Sequence, residues 1–206
     1  MRLDWLDHGF GTRHAHEFGS GPEIASLKQI HSNICQNADS AAGCLGEGDA
    51  LVSRRPGRRL SVRTADCVPI LLADERTRAV AAVHAGWRGT VSRVAPAAVQ
   101  ALCKRYGSQP DDLHAAIGPG IGMCCFEVGP EVAAQFGKSG RARVDLIDEN
   151  RRQLRGLGVP PERIYTANLC TCCLKDRFHS FRRDRERAGR MVSLVGIRGE
   201  VLQEGV

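Results

Sequence analysis

The chain has 206 residues, 42% of them hydrophobic, and no run approaches the roughly 20 apolar residues that span a bilayer, so a soluble protein with one core-bearing domain over residues 1–206 is expected. A net charge of +6 and a pI near 9.0 invite a nucleic-acid reading centred on Arg182, Arg183, Arg185, Arg187 and Arg190. Asp176, Asp184 and Glu186 interrupt that run and the composition offers no aromatic platform for single strands, which leaves an anionic small molecule such as phosphate as the expected partner, with no nucleic acid and no membrane.

The N-terminal stretch from Met1 to His8 has no apolar signal core, so a cytoplasmic address is expected. Nine cysteines, an odd number, then argue for reduced thiols or metal ligands over a disulfide framework. Residues 9–21 are glycine-rich and loop-like, with His14 and His16 spaced by one; exposed loop histidines are the plainer reading of that pair. Residues 24–35 alternate, with Leu27, Gln29 and His31 on one side and Lys28, Ile30 and Ser32 on the other. Residues 41–49 form a turn-rich link of small residues, and Gly48-Asp49-Ala50-Leu51-Val52 opens a short apolar run that stops at Arg54-Arg55-Pro56-Gly57.

The centre of the sequence follows. Leu60, Val62 and the run 68–72 are β-branched or aliphatic, and the polar cluster Asp74-Glu-Arg-Thr-Arg78 separates them from a second apolar run, 79–83, which predicts buried strands joined by an exposed turn. One strand carries Cys67 and the other His84, both soft metal ligands. Pro69 cannot donate to a ladder and belongs at a strand start or bulge, so the chain around Cys67 is expected to bend. Gly86 and Gly89 bracket Trp87-Arg88, where the second strand turns toward a helix over 91–106 that kinks at Pro96 or starts near it.

A strand is predicted at 113–117, then a glycine-rich turn whose spacing does not match a dinucleotide fingerprint. Helices are expected at 131–136 and 145–157, strands at 164–167 and 191–197, and a loop from Cys170 to Arg183. Alternating strands and helices with hairpin-like neighbours predict an α/β (α+β) protein, a mixed β-sheet flanked by helices. Cys124 and Cys125 with Cys170, Cys172 and Cys173 offer a thiolate-rich zinc site, but C-x-C-C is not the knuckle spacing, so free, partly buried thiols are the expectation.

Cys67 has two chemical readings. As a nucleophile it needs a base, and His84 is the candidate; as a ligand it needs further donors, and His31 and His84 supply them, leaving an open position for water or substrate. The segments Gln29-Ile-His31, Gly48-Asp49-Ala50, Thr64-Ala-Asp-Cys67-Val-Pro, His84-Ala-Gly-Trp-Arg-Gly89, Ile117-Gly-Pro-Gly-Ile-Gly122, Asn168-Leu-Cys170-Thr171 and Phe181-Arg-Arg-Asp resemble the YfiH-type laccase-domain family, known as purine nucleoside phosphorylase, polyphenol oxidase or peptidoglycan-editing proteins. The resemblance runs through most of the chain and departs at Ser32, where glycine is common, and at His179, where an aromatic is usual.

That resemblance implies a zinc ion, or Cu2+, on His31, Cys67 and His84, and a monomeric or weakly associating enzyme. It implies phosphorolysis of adenosine, inosine and 5'-methylthioadenosine, with adenosine deaminase activity. Catalysis then falls to Cys67, His84 and Arg88, with Arg88, Arg63 and Arg182 as candidates to hold phosphate. Gln29 and Asp66 join the substrate-binding set, and Asp66 is expected to orient a ligand histidine. The alternatives are a metal-free cysteine hydrolase or amidase with a Cys67–His84 dyad, acting in peptidoglycan-precursor editing, and a copper-dependent polyphenol oxidase.

Overall fold

The structure, a computed structural model, describes residues 3–15 and 21–199. His16 lies outside the described residues, and His14 is an exposed loop residue whose Nε2 meets the carbonyl of Asp176 at 2.7 Å. In chain order the strands are β1 (Leu6–Phe10), β2 (Ile24–Lys28), β3 (Cys35–Asn37), β4 (Gly43–Glu47), β5 (Ala50–Ser53), β6 (Arg59–Thr64), β7 (Val68–Asp74) and β8 (Val80–Ala85). Helices α1 (Trp87–Val91) and α2 (Val94–Tyr106) precede β9 (Leu113–Ile117), β10 (Glu127–Val128), α3 (Pro130–Ala134), β11 (Ala142–Arg143), α4 (Leu146–Arg155), β12 (Ile164–Thr166), α5 (Phe181–Asp184) and β13 (Met191–Ile197).

The expected sheet is mixed, but there are two large ones. One runs in the order β1-β13-β6-β2-β4 and the other β12-β9-β7-β8-β5-β3, with β10 and β11 as a small separate pair; both large sheets combine parallel and antiparallel pairings. Strands β7 and β8 sit centrally in the six-stranded sheet and are buried on both faces, which is why their sequences read as continuous apolar runs and not as alternation. Ile70, Leu72, Ala81 and Val83 point to a core shared with α2 and α4, whereas Leu71, Ala73, Val80 and Ala82 point to a second core against Leu60, Val62, Ala25 and Val195 of the other sheet. The result is three layers, sheet on sheet on helices, so the helices cover one face of the six-stranded sheet.

Several local expectations meet their physical causes here. Pro69 is the second residue of β7, at the strand start its missing N–H requires, and its carbonyl accepts from the Gly118 amide at 2.9 Å. The helix expected over 91–106 is broken at Ser92 and Arg93, with Arg93 at φ 65°, and resumes at Val94, which places Pro96 in the first turn of α2 where an amide has no helical partner. The alternation expected across His31 ends at Lys28: His31 has φ 61° and lies in a loop. Strand β4 forms where a link was expected, by pairing with β2, and β1, pairing with β13, runs two residues into the stretch expected as a loop. No helix among the described residues is long and apolar enough to cross a membrane.

Candidate metal centre

The chain crosses from one large sheet to the other between β6 and β7, through Ala65, Asp66 and Cys67. Asp66 holds φ 86°, a conformation that an L-residue keeps only under constraint, and the constraint is visible. Its carboxylate accepts from Thr171 Oγ1 (2.7 Å), Ser180 Oγ (3.0 Å) and the Arg182 amide (2.6 Å), and its backbone carbonyl accepts from the Ile121 amide (2.7 Å). This fixes Cys67 at the mouth of β7, opposite the end of β8 that carries His84.

The three expected ligands converge. One ligand atom from each of His31, Cys67 and His84 lies within 4.8 Å of the others, Cys67 Sγ stands 3.9 Å from His31 Nε2, and the two imidazoles meet edge-on with centroids 5.0 Å apart. Gly86 makes this possible: a Cβ there would sit 2.8 Å from Cys67 Sγ and 3.0 Å from His31 Cδ2.

The residue that organises the trio is Asp49. It directly precedes β5, which runs antiparallel to β8, and the His84 amide donates to the Asp49 carbonyl at 2.8 Å, so the ladder sets the two side by side. The buried Asp49 carboxylate accepts from His84 Nδ1 (2.8 Å), from the amides of Ile30 (3.2 Å), His31 (3.0 Å) and Ser32 (2.6 Å), and from Ser32 Oγ (2.8 Å). One carboxylate thus folds the His31 loop and sets the His84 tautomer, with Nδ1 protonated toward Asp49 and Nε2 left for a ligand. Ser32, a departure from the resembled family, adds a hydroxyl donor to this knot.

Asp66 therefore does not orient a ligand histidine as expected; its oxygens are spent on Thr171, Ser180 and Arg182, and the role falls to Asp49. The signal was an aspartate set at the mouth of a fully apolar strand run, in the quoted Gly48-Asp49-Ala50 segment.

Electrostatics follow from this packing. Burial would push the Asp49 carboxyl up, but the hydrogen bonds from His84 and Ser32 prevail and hold it at about 2. Burial would likewise lower His84 and raise Cys67, yet Asp49 and Cys67 raise His84 to about 9, while His31 and His84 lower Cys67 to about 6. Without metal the pair is a thiolate beside an imidazolium.

The signs oppose one another in stability. His84, raised from 6.5 to about 9, contributes stability that is complete below pH 6.5 and lost as pH rises through 9. Cys67, lowered from 9.0 to about 6, contributes stability that is present above 9.0 and lost as pH falls through 6. Between about pH 6.5 and 9 the two slopes cancel. The Tm contribution of this pair in chelated protein is expected to be flat there, and Cys67→Ser should uncover a fall in Tm with rising pH relative to the parent. Parallel profiles for the two proteins, measured in the same chelator, would contradict the charged pair.

The trio opens into a cavity of about 920 Å³, roomy enough for a nucleoside with phosphate. All the expected site residues line it: Gln29, His31, Arg63, Asp66, Cys67, His84, Arg88 and Arg182. Arg185 and Arg190 of the interrupted basic run line it too, although the sequence did not single them out as site residues. Among the described residues Asp66 is the only acid on the wall, and its oxygens are occupied, so the cavity favours anions.

Two expected binders also hold structure. The Gln29 side chain donates to the Arg63 carbonyl and accepts from the Arg63 amide, both at 2.8 Å, extending β6 toward the His31 loop. Arg182 donates to the carbonyls of Cys125 (3.1 Å) and Glu127 (2.9 Å), while its guanidinium lies over Phe126. Arg88 stacks on Trp87, 4.3 Å from the ring centroid, and stands at the cavity wall beside His84.

A family model described as multi-copper polyphenol oxidoreductase laccase matches residues 12–198. A purine nucleoside phosphorylase of Deinococcus radiodurans is 38% identical over 185 residues, 85% of this chain and 70% of that protein. Adenosine deaminase RL5, from an unknown prokaryotic organism, is 42% identical over 166 residues, 74% of this chain and 63% of that protein, so the chain spans only part of such relatives. Among solved structures, YlmD from Geobacillus stearothermophilus superposes with a TM-score of 0.84 at 28% identity, covering 95% of this chain and 93% of that one. YfiH of Bacillus licheniformis gives 0.83 at 32% identity, with 86% and 75% covered.

Proposed function

Because the chain belongs to the multi-copper polyphenol oxidoreductase laccase family, with relatives named purine nucleoside phosphorylase, we propose that it is a zinc-dependent purine nucleoside phosphorylase that also deaminates adenosine. The observation that carries this reading is the convergence of His31, Cys67 and His84 at an anion-favouring cavity. Two imidazoles and one thiolate are a borderline-soft donor set with an open fourth position, which suits a catalytic zinc. The fit is independent of the relatives: Asp49 takes up His84 Nδ1, so Nε2 is the nitrogen that can ligate once a metal displaces its proton, and the neighbouring imidazoles hold the Cys67 thiol well below its ordinary range.

A zinc ion there would supply Lewis-acid charge at the cavity floor. The chain's own groups do the rest. Arg88 and Arg63 bind phosphate on the cavity wall and hold one oxygen toward C1' of the sugar. The glycosidic bond breaks as the C1'–O bond forms, and the purine leaves with its electron pair, its ring nitrogen ending with the proton that the attacking hydrogen phosphate gives up, passed on through solvent. Trp87, Phe126 and Phe181 give the base and sugar apolar walls that exclude water, so that phosphate and not water captures the sugar. Gln29 and Arg182 keep the walls in place through the backbone bonds described above.

The donor set bears on the copper alternative. Among the described residues the groupings suited to a metal are this trio and a cluster of four cysteines, and neither is the histidine-rich multi-copper array that oxygen reduction by a laccase requires.

The test is an assay with inosine. Hypoxanthine and ribose 1-phosphate should form only when phosphate is present, activity should fall to background on complete metal removal, and added zinc should restore it. Full activity in metal-free protein or in His31→Ala would move the chemistry to a Cys67–His84 hydrolase, since a dyad needs neither the metal nor His31.

A further inference from the structure

We propose a second metal site, a closed zinc site on Cys124, Cys125, Cys170 and Cys173, that staples two loops behind the candidate active site. The sequence argued for free thiols because the two cysteine groups lie far apart and match no knuckle spacing. The fold brings them together. Their four Sγ atoms all lie within 4.8 Å of one another, with Cys124 to Cys125 at 3.8 Å, Cys124 to Cys173 at 3.7 Å and Cys125 to Cys173 at 3.3 Å. A zinc ion with Zn–S bonds of about 2.3 Å needs sulfur–sulfur edges of about 3.8 Å; the two Cys124 separations match that edge and the Cys125–Cys173 separation is shorter.

The alternatives explain less. A disulfide would join two of the four sulfurs and leave the convergence of the others without a cause. An iron–sulfur cube holds its cysteine sulfurs farther apart than a single ion does, so the tight grouping points to one metal. Four thiols give one another only weak hydrogen bonds, whereas four thiolates around a divalent cation form a complete tetrahedral shell. With four protein ligands and no open position, such a site is structural.

The surrounding backbone is built to hold it. Residues Gly120 and Cys170 form a parallel bridge, with Thr171 N donating to the Gly120 carbonyl at 3.0 Å, and the Gly122 amide donates to Cys170 Sγ at 3.3 Å, as amides do to metal thiolates. A Cβ at Gly122 would stand 3.2 Å from Cys170 Cβ and 3.3 Å from Cys124 Sγ, so glycine permits the approach. Arg182 clamps the Cys125 carbonyl from one side and Arg183 the carbonyls of Thr171 and Cys172 from the other.

Through these loops the staple reaches Asp66: Ile121 bonds its carbonyl and Thr171 its carboxylate. The site therefore braces the residue that sets Cys67, without itself touching substrate. Its proposal stands apart from the phosphorolysis reading, because neither the count nor the coordination of this zinc depends on what the cavity binds.

The experiment is metal analysis after dialysis against zinc buffer and gel filtration, with X-ray absorption at the zinc edge. Two zinc ions per chain are expected in the parent, one in Cys173→Ser, and one in His31→Ala/Cys67→Ser, whose remaining zinc should show four sulfur neighbours and no nitrogen. Should Cys173→Ser fail to fold, the parent spectrum decides: a shell dominated by sulfur supports two sites, and two nitrogens to one sulfur overturns the second. A single zinc that Cys173→Ser leaves in place, a Cys125–Cys173 disulfide detected by mass in fresh protein, or complete loss of zinc in the double variant would each overturn the proposal.

Discussion

Asp49→Ala is expected to weaken zinc binding at the trio by about 10–100-fold and to destabilise the fold by about 3–5 kcal/mol. The size follows from what the carboxylate holds. Its removal leaves the buried His84 Nδ1, and three loop amides and the Ser32 hydroxyl in a partly buried setting, without their acceptor, and each such group costs about 1–3 kcal/mol where water cannot replace the bond. The His31 loop then loses its centre, so His31 and His84 fail together. Asp49→Asn keeps the shape but turns an amide toward donors, so it should lose metal comparably while costing less stability. Competition titration with a zinc indicator and urea unfolding measure the two effects separately. Parent-like affinity in Asp49→Ala would show that His31 and His84 are positioned by something else.

Gly86→Ala should do the opposite: remove metal and spare the fold. The backbone at Gly86, φ −73° and ψ 176°, is one that alanine adopts without strain. What alanine cannot do is share space with Cys67 Sγ at 2.8 Å and the His31 ring at 3.0 Å. Both are proposed ligands, held from behind by β7 and by Asp49, so one of them must leave its place. Zinc affinity at this site is expected to drop at least 10-fold, with activity falling alongside, while unfolding free energy stays within about 1 kcal/mol. Unchanged affinity would mean that the trio has slack the distances do not suggest.

The contrast between these residues shows what was legible in the sequence. His84 belongs to an apolar run, and Cys67 directly precedes another, whose length and turn chemistry mark strands, and the register of β7 on β8 sets the two residues at neighbouring strand ends. His31 was found through its motif, but its alternation suggested a strand where an αL turn exists, because nothing local announces that three consecutive amides will bond one distant carboxylate. Asp49 and Asp66 were both visible as aspartates beside chemistry. Which of them serves His84 depends on the β5–β8 pairing, a long-range fact.

The division into two sheets was hidden for a similar reason: β6 and β7 are separated by only three residues, and only their partners, β13 and β2 for one and β8 and β9 for the other, assign them to different layers. The four cysteines carry the same lesson, since their spacing along the chain says nothing of two loops zipped by the Gly120–Cys170 bridge.

The crossing between β6 and β7 also sets when the centre can exist. His31 hangs from the end of β2 in one sheet, His84 is built into β8 of the other, and Cys67 sits on the short link between them. A chain with only one sheet formed has the donors of a weak, bidentate chelate at best. The third donor arrives when the layers dock, so capture of a metal by all three proposed ligands would be coupled to the burial of surface between the two sheets. Metal release then becomes a clock for the parting of the two sheets.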